Sequence, residues 1–216
     1  MREILVATRN SGKLWEIKEA LECTGLRLVS LKDFEGRTGE NLGDPIEDGE
    51  TFQQNAYKKA RYFFDKISVN GRPERFWVLA EDSGIIVDAL VGELGIKTRR
   101  WGAGERATDQ EWVEYFLKKM EKVPENKRGA KFVCLACLIG RNENGEEFLK
   151  YFEGEAEGVV TGKLEAPLMS GVPLSSCFKP KGCGNVYSAL SHKEKNEISH
   201  RGKAMAMVRE FLKSRL

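Results

Sequence analysis

The sequence predicts an α/β fold with a mixed sheet, and three observations lead to this prediction. Short apolar runs alternate with helix-like segments through the first half of the chain. Later, two apolar-patterned segments, 130–140 and 146–158, flank the turn sequence "NENG", which is typical of a β-hairpin. Hydrophobic residues make up 41% of the 216 positions, enough for a substantial core. Early alternation followed by a hairpin favours a mixed sheet over a purely doubly wound one.

The first elements follow in chain order from local patterns. An apolar run at 4–7 predicts a buried strand, residues 12–23 predict a helix, and "RLVSL" at 27–31 predicts a second short strand. Residues 33–50 are acidic and contain glycine, so we interpret them as a loop.

A capping box predicts where the next helix begins. Thr51 and Gln54 match the S/T-x-x-E/Q pattern. Apolar residues then recur at helical spacing: Phe52, Ala56, Ala60, Phe63, Phe64 and Ile67. Asn55 and Lys59 lie four residues apart and therefore share a face away from most of that stripe.

Two further helices complete the prediction. Thr108 and Glu111 form a second capping box, which opens a helix that extends to about Met120. The last helix is predicted over 203–213, with apolar residues directed inward.

Composition excludes several classes of partner. The 35 basic and 33 acidic residues nearly balance, so nothing drives the chain generally toward nucleic acid or membrane. The apolar run near the N-terminus is too short for a signal peptide, and no stretch approaches the ~20 residues of a membrane span. Five cysteines without an export signal are typical of reduced thiols, so we expect a cytoplasmic protein. The length of 216 residues fits one domain, or one domain with two lobes, over 1–216.

The stretch "WVLAEDSGIIVDAL" places Glu81 and Asp82 side by side between two apolar runs. Adjacent carboxylates oppose each other's ionisation wherever they are partly desolvated. The acidic segment with Glu47, Asp48 and Glu50 is either a solvated face or a second source of carboxylates for a hard cation such as Mg²⁺.

Two basic stretches are candidate anion sites. "ATRNSGKL" leads from a strand into a helix and carries Lys13, but Ala7 and Leu14 rule out a P-loop, which leaves a helix cap or a phosphate site. "KNEISHRGKAM" places cations at the start of a helix, where they oppose its dipole: Lys195, His200, Arg201 and Lys203. This cluster is either a phosphate clamp or a solvated basic turn.

The cysteines favour packing over chemistry. Cys134 and Cys137 form a C-x-x-C within an apolar strand, where residues three apart point to opposite faces. Cys177 and Cys183 lack a nearby pair of His or Cys ligands.

Six motifs in order resemble the inosine triphosphate pyrophosphatase family. They are Thr8-x-Asn10-x-x-Lys13, "EDGETFQQNAYKKA", "AEDSGIIVDAL", "GIKTRRW", "EGEAEG" and "EKNEISHRGKA". The resemblance covers nearly the whole chain, and "SHRG" after "EKN" and "DSG" after a strand are its most specific parts.

The resemblance implies a fold and an activity. The implied fold is an elongated, two-lobed α/β structure whose central mixed β-sheet is flanked by helices, with a substrate cleft between the lobes. The implied reaction is the Mg²⁺-dependent hydrolysis of non-canonical purine nucleoside triphosphates such as ITP, dITP and XTP to the monophosphate and pyrophosphate. The implied assembly is a homodimer.

The resemblance also implies residue roles. Asp82 is the implied catalytic acid and a metal ligand, and Glu47 is the second metal carboxylate. The implied triphosphate contacts are Thr8, Asn10, Lys13, Lys59 and Ser83, and the implied nucleotide contacts are Lys195, His200 and Arg201. Glu81 and Asp82 are expected at a strand end, where a metal offsets their repulsion and Ser83 and Gly84 make a tight turn.

One segment departs from the family pattern. Val172, Pro173, Leu174 and Ser175 stand where the family has an aromatic residue and a carboxylate that contact the base. The alternative to the leading prediction is therefore the same chemistry with altered or relaxed base specificity. A nucleotide- or RNA-binding module without catalysis is disfavoured, because Glu47 and Asp82 would repel a phosphate backbone.

Overall fold

The computed structural model describes residues 3–69, 76–104 and 106–215, which form an α/β fold. Six strands of this part of the chain form a mixed sheet in the order β2-β1-β3-β4-β5-β6. The strands are β1 (Glu3–Val6), β2 (Arg27–Ser30), β3 (Phe76–Val87), β4 (Gly129–Arg141), β5 (Glu147–Val160) and β6 (Phe178–Pro180). β1 pairs with β2 and β3 in parallel, and β5 pairs with β6 antiparallel, which confirms the predicted mixed sheet.

The predicted hairpin is confirmed. β4 and β5 are neighbours in the sheet, and they are joined by the turn that contains "NENG". Asn142 N–H donates to Glu146 O across that turn at 2.9 Å.

The α-helices of the described residues are α1 (Ser11–Leu21), α2 (Leu31–Thr38), α3 (Phe52–Val69), α4 (Asp109–Met120), α5 (His192–Ile198) and α6 (His200–Lys213). The capping box of Thr108 and Glu111 opens α4 as predicted. At α3, Thr51 Oγ1 accepts from Gln54 N at 3.1 Å, but the Gln54 side chain accepts from Glu50 N instead of completing the box.

Three helices correct the prediction. The loop interpretation of 33–50 is wrong at its start, where α2 forms because Ser30 and Asp33 make a capping box. Gly39 ends that helix in the left-handed region, at φ 75°. α5 was not predicted, and α6 begins at His200 instead of residue 203.

β3 corrects the interpretation of the central acidic stretch. The strand continues without a break from Phe76 to Val87. Glu81 and Asp82 therefore lie inside a strand and not at its end, and Ser83 and Gly84 do not form a turn. A residue with no side chain lets the strand pass close to a neighbouring segment, since a Cβ at Gly84 would lie 2.2 Å from Gly95 O.

The chain divides into two compact units. Unit 1 comprises Met1–Asp82, Leu135–Glu153 and Ala204–Leu216, and unit 2 comprises Ser83–Cys134 and Gly154–Lys203. The cleft and the single domain expected from the resemblance stay predictions.

Each unit has its own hydrophobic core. The stripe predicted for α3 is confirmed in unit 1, where Ala56, Ala60, Phe63, Phe64 and Ile67 are buried against the first strands. The core of unit 2 contains large side chains of α4 and β6: Trp112, Val113, Phe116, Met120 and Phe178. Within the described residues, none of the helices is both long and apolar enough to cross a membrane.

The packing role predicted for Cys134 and Cys137 is confirmed. Cys134 and Cys137 are fully buried, as core packing requires. Burial raises the pKa of the Cys137 thiol to about 12, so the thiolate is disfavoured.

Candidate active site

The Asp82 carboxylate is the centre of the candidate site in unit 1. Asp82 lies on β3 and is 7% exposed. Asn55, from the first turn of α3, donates from Nδ2 to Asp82 Oδ2 at 3.0 Å. A carboxylate on a buried strand has little freedom, so this hydrogen bond sets the orientation of its plane.

Burial of Asp82 disfavours the ionised form of its carboxyl group. Desolvation raises the pKa of Asp82 above that of an ordinary aspartate, while the charges of Lys13 and Lys59 and the hydrogen bond from Asn55 oppose that rise in part. A carboxyl group perturbed by burial beside specific cations is a candidate for acid–base chemistry.

Glu81 shares Lys13 with Asp82, since Lys13 pairs directly with Glu81 and its charge also acts on Asp82. Adjacent residues of a strand point to opposite faces, and Glu81 Oε1 pairs with Lys13 Nζ at 2.7 Å. Besides desolvation, the charge of Glu81 still raises the pKa of Asp82, so the repulsion expected between the two carboxylates is present, and Lys13 offsets part of it.

Lys59 joins the acidic segment to β3. Its Nζ lies 2.9 Å from Glu47 Oε1 and donates to the Glu81 carbonyl oxygen at 3.2 Å. The Glu47 carboxylate is thereby held beside the strand that carries Asp82. The solvated-face interpretation applies instead to Asp48, which is exposed and pairs with Lys58.

The segment between β1 and α1 caps the helix. Asn10 is the N-cap residue of α1, and its Oδ1 accepts from Lys13 N at 2.9 Å. Thr8 Oγ1 accepts from Asn10 N at 3.2 Å. The helix-cap interpretation is thus confirmed, and phosphate contacts by Thr8 and Asn10 stay predictions.

In unit 2, Ser83 is bound to a buried arginine. Arg201, in the first turn of α6, donates from Nη2 to Ser83 Oγ at 3.0 Å. The hydrogen bond holds the side chain that follows Asp82 in the sequence.

His200 lies in an aromatic environment. Its ring stacks on Phe132 with a centroid distance of 4.6 Å and an interplanar angle of 14°, and Tyr187 lies 6.4 Å away. Close packing of α5 and α6 places it there, since a Cβ at Gly202 would lie 1.9 Å from Asn196 O. This contact explains the glycine of "SHRG".

Lys195 is buried at 4% exposure and contacts the segment that departs from the family pattern. Its Nζ lies 3.2 Å from Ser175 Oγ and 5.7 Å from the centre of the Tyr187 ring. Ser175 belongs to a short 3₁₀ turn, Pro173–Ser176, preceded by Gly171, whose N–H donates to Asp109 Oδ2 at 2.6 Å. The solvated-turn interpretation is wrong for Lys195, His200 and Arg201, because all three are buried.

Sequence reasoning missed three residues of these clusters. The sequence places Asn55 on the same helix face as Lys59 but gives it no role. A polar residue on the face that carries a predicted site residue is the signal that indicates one. Phe132 and Tyr187 carry no motif, and their approach to His200 depends on tertiary packing.

The carboxylates of Glu47 and Asp82 suit a site in which Mg²⁺ would be shared with the phosphates of a substrate. Among the residues that the structure describes, no three His, Cys, Asp or Glu side chains gather into a metal-holding group. Mg²⁺ in nucleotide sites takes one or two protein carboxylates and completes its shell with phosphate oxygens and water. Glu47, held by Lys59 beside β3, and Asp82 are the two carboxylates that would hold such an ion.

Unit 1 contains a buried carboxylate flanked by lysines, and unit 2 contains buried cations beside aromatic rings. Perturbed, buried ionisable groups of this kind are typical of functional sites in enzymes. The chain belongs to the Ham1 family, whose model matches residues 4–211. This confirms the family expected from the sequence.

Several known proteins resemble this chain along nearly their whole length. The dITP/XTP pyrophosphatase of Geobacter sulfurreducens is 35% identical, with 98% of this chain and 97% of that protein covered. A dITP/XTP pyrophosphatase of Thermus thermophilus is 36% identical, with 98% and 92% covered. The solved structure of a HAM1 protein from Coxiella burnetii superimposes with a TM-score of 0.78 at 29% identity, over 99% of this chain and 100% of that one.

Proposed function

We propose that this protein is a Mg²⁺-dependent nucleoside triphosphate pyrophosphatase that converts ITP, dITP and XTP to the monophosphate and pyrophosphate. The observation that carries the proposal is the buried Asp82 carboxylate, oriented by Asn55 and flanked by Lys13 and Lys59. The relatives named dITP/XTP pyrophosphatase support the substrate class.

The triphosphate belongs with the unit 1 cluster. A nucleoside triphosphate carries about four negative charges near neutral pH, and such charge needs several cations around it. Lys13 and Lys59 supply two of these cations, and Thr8 and Asn10 of the same unit are the proposed polar contacts. Ser83, the first residue of unit 2, is a further proposed contact. Glu47 and Asp82 would hold Mg²⁺, which when bound neutralises phosphate charge and polarises the phosphorus centre.

Asp82 is the proposed proton acceptor for the attacking water. A positioned base with a raised pKa holds a proton more readily than an ordinary aspartate, and burial raises the pKa of Asp82. The hydrogen bond from Asn55 to Oδ2 holds the carboxylate in one orientation, so its other oxygen, Oδ1, is the proposed acceptor of the proton from water.

The base end belongs with the unit 2 cluster of Lys195, His200 and Arg201. Donors there suit the 6-oxo group of hypoxanthine and xanthine over the amino group of adenine. Ser175 offers Lys195 a hydroxyl where the family pattern has a carboxylate.

The alternative is the same reaction with relaxed base preference. Leu174 is buried in the core of unit 2 and Val172 is partly exposed, so Val172 is the better candidate for apolar contact with a base. Aromatic stacking on a base is worth ~1–3 kcal/mol of affinity. Discrimination depends on polar partners, so the absence of the family's carboxylate is what relaxes base preference.

A panel of triphosphates tests both candidates. Pyrophosphate and orthophosphate are measured with ITP, XTP, GTP, ATP and UTP under one Mg²⁺ condition, and kcat/KM is compared. We expect pyrophosphate as the product, with ITP and XTP preferred over the other three by a modest margin. Strict selectivity for ITP would contradict the relaxed alternative, equal rates would show that His200 and Arg201 do not read the base, and no pyrophosphate would refute the proposed function.

We also propose a homodimer in the cytoplasm. The resemblance to the family supports the dimer, and a substrate drawn from the nucleotide pool supports the location.

A further inference from the structure

Asn55 makes two hydrogen bonds through its side chain. The residue is 1% exposed. Its Oδ1 accepts from Gly49 N at 2.8 Å, and its Nδ2 donates to Asp82 Oδ2 at 3.0 Å. A buried amide costs free energy unless it is hydrogen-bonded, and here both ends are.

The chemistry of the partners fixes which way the amide points. A backbone N–H can only donate, so the atom that faces Gly49 must be the oxygen. The nitrogen then faces Asp82, whose ionised carboxylate can only accept. Only this orientation satisfies both neighbours, so the amide has one stable position.

Gly49 is required for this contact. A Cβ at that position would lie 2.6 Å from Asn55 Oδ1 and 2.8 Å from the Gln54 side chain. The acidic segment therefore approaches α3 through a residue without a side chain. Two residues earlier, Glu47 is held by Lys59, one helical turn after Asn55.

We propose that Asn55 is a positioning residue that fixes Asp82 and the segment of Glu47 relative to each other. The inference rests on the proposed function. One side chain connects the two segments that carry the proposed metal carboxylates, which lie 35 positions apart in the sequence. Asn55 does not contact the reacting atoms; it acts through the orientation of Asp82.

Gln54 provides a matched control. Its side chain also accepts from a backbone N–H of the acidic segment, Glu50 N at 2.7 Å, and it lies in the same helical turn. A role limited to anchoring the segment would make the two residues alike. A role in orienting Asp82 separates them.

Three variants distinguish these roles. Asn55→Leu removes both hydrogen bonds with little change of shape. Asn55→Asp keeps an oxygen acceptor for Gly49 N but loses the donor to Asp82 and adds a like charge. Gln54→Leu removes only a contact to the segment.

The full-length variants are compared in three measurements. They are kcat and KM for ITP at saturating Mg²⁺, Mn²⁺ affinity without nucleotide by electron paramagnetic resonance, and thermal unfolding. Partners that orient a metal ligand typically contribute 10–100-fold to activity or metal affinity. We therefore expect both Asn55 variants to lose roughly 10–100-fold in kcat and Asn55→Leu to bind Mn²⁺ more weakly. Gln54→Leu should stay within about twofold of the parent, since surface substitutions have small effects.

Several outcomes would overturn the inference. One is an Asn55→Asp protein with the kcat of the parent, which would assign Asn55 to the segment alone. Another is a loss no greater than that of Gln54→Leu. If Asn55→Leu does not fold, Asn55→Asp decides, and failure of both to fold would place the role in stability. A parent protein that releases no pyrophosphate would refute the proposed function instead, while Mn²⁺ affinity would still test the position of the carboxylates.

Discussion

Asp82 shows how the surroundings of a single side chain change its acidity. In water its carboxyl group is an ordinary acid, but on β3 desolvation raises its pKa, and Lys13 and Lys59 oppose the rise only in part. The hydrogen bond from Asn55 stabilises the ionised carboxylate and offsets part of the free-energy cost of burying its charge. Strained or costly groups of this kind are concentrated at functional sites.

Asp82→Asn should remove most pyrophosphatase activity. The amide keeps the shape and still accepts a hydrogen bond from Asn55, but it neither takes a proton from water nor binds a hard cation well. The loss of a positioned base typically costs ~10²–10⁴ in rate. The measurement is kcat with ITP, and near-parental turnover in a folded protein would contradict the assignment.

The same variant should fold as well as the parent. Without metal, the substitution removes a buried charge whose ionisation is opposed by desolvation, so the melting temperature in the presence of a chelator should not fall. A marked loss of stability would mean that the activity result reports unfolding.

At the scale of elements, α3 combines two functions in one helix. Its apolar stripe packs in the core of unit 1, and the adjacent face presents Asn55 and Lys59 to the acidic segment and to β3. Because the helix is fixed by its core contacts, the two polar side chains are held without loop flexibility. A site on a packed helix is more rigid than one on a loop.

The packing of α5 against α6 gives a prediction about a glycine. Gly202→Ala places a Cβ where Asn196 O now lies, 1.9 Å away. Overpacking of this kind costs typically ~1–3 kcal/mol. We expect a lower melting temperature together with weaker use of ITP, because His200 and Arg201 belong to the same helical turn.

Gly36→Ala is the matched control for that change. Gly36 lies within α2, and a Cβ there meets nothing within 4 Å. Alanine is better than glycine in a helix by roughly 0.5–1 kcal/mol, so this variant should be as stable as the parent or more stable. Equal melting temperatures of the two variants would contradict the prediction that a side chain at position 202 destabilises the packing of α5 against α6.

At the scale of the whole molecule, the residues proposed to bind substrate are distributed over the two units. The residues proposed for the triphosphate lie mainly in unit 1, and those proposed for the base lie in unit 2. β3 contributes to both, since Asp82 ends the first segment of unit 1 and Ser83 begins unit 2.

The molecule as a whole also carries exposed apolar side chains. In unit 2, Val91 is 85% exposed, and Ile86 and Val159 are exposed as well. Single exposed apolar residues are normal on a protein surface, so the proposed dimer rests on the resemblance to the family. Light scattering at micromolar concentration should give about twice the chain mass of 24.4 kDa, and a monomer mass across a concentration series would reject the proposed dimer.

Local patterns in the sequence determined much of the fold. The stripe of α3, the capping box of α4 and the β4–β5 hairpin depend on residues close in the chain, so spacing alone predicted them. α2 was missed although Ser30 and Asp33 form a capping box, because the acidic and glycine content of the segment outweighed that signal.

The order of motifs in the sequence was sufficient to predict the family, but only the tertiary structure decided how the site is assembled. Glu81 and Asp82 looked like the end of a strand because Ser83 and Gly84 favour turns, yet the sheet extends β3 through them. Asn55 contacts Asp82 from 27 positions away, and His200 stacks on Phe132 from 68. Such contacts have no local signature, because they arise only when packed helices and strands bring distant side chains together.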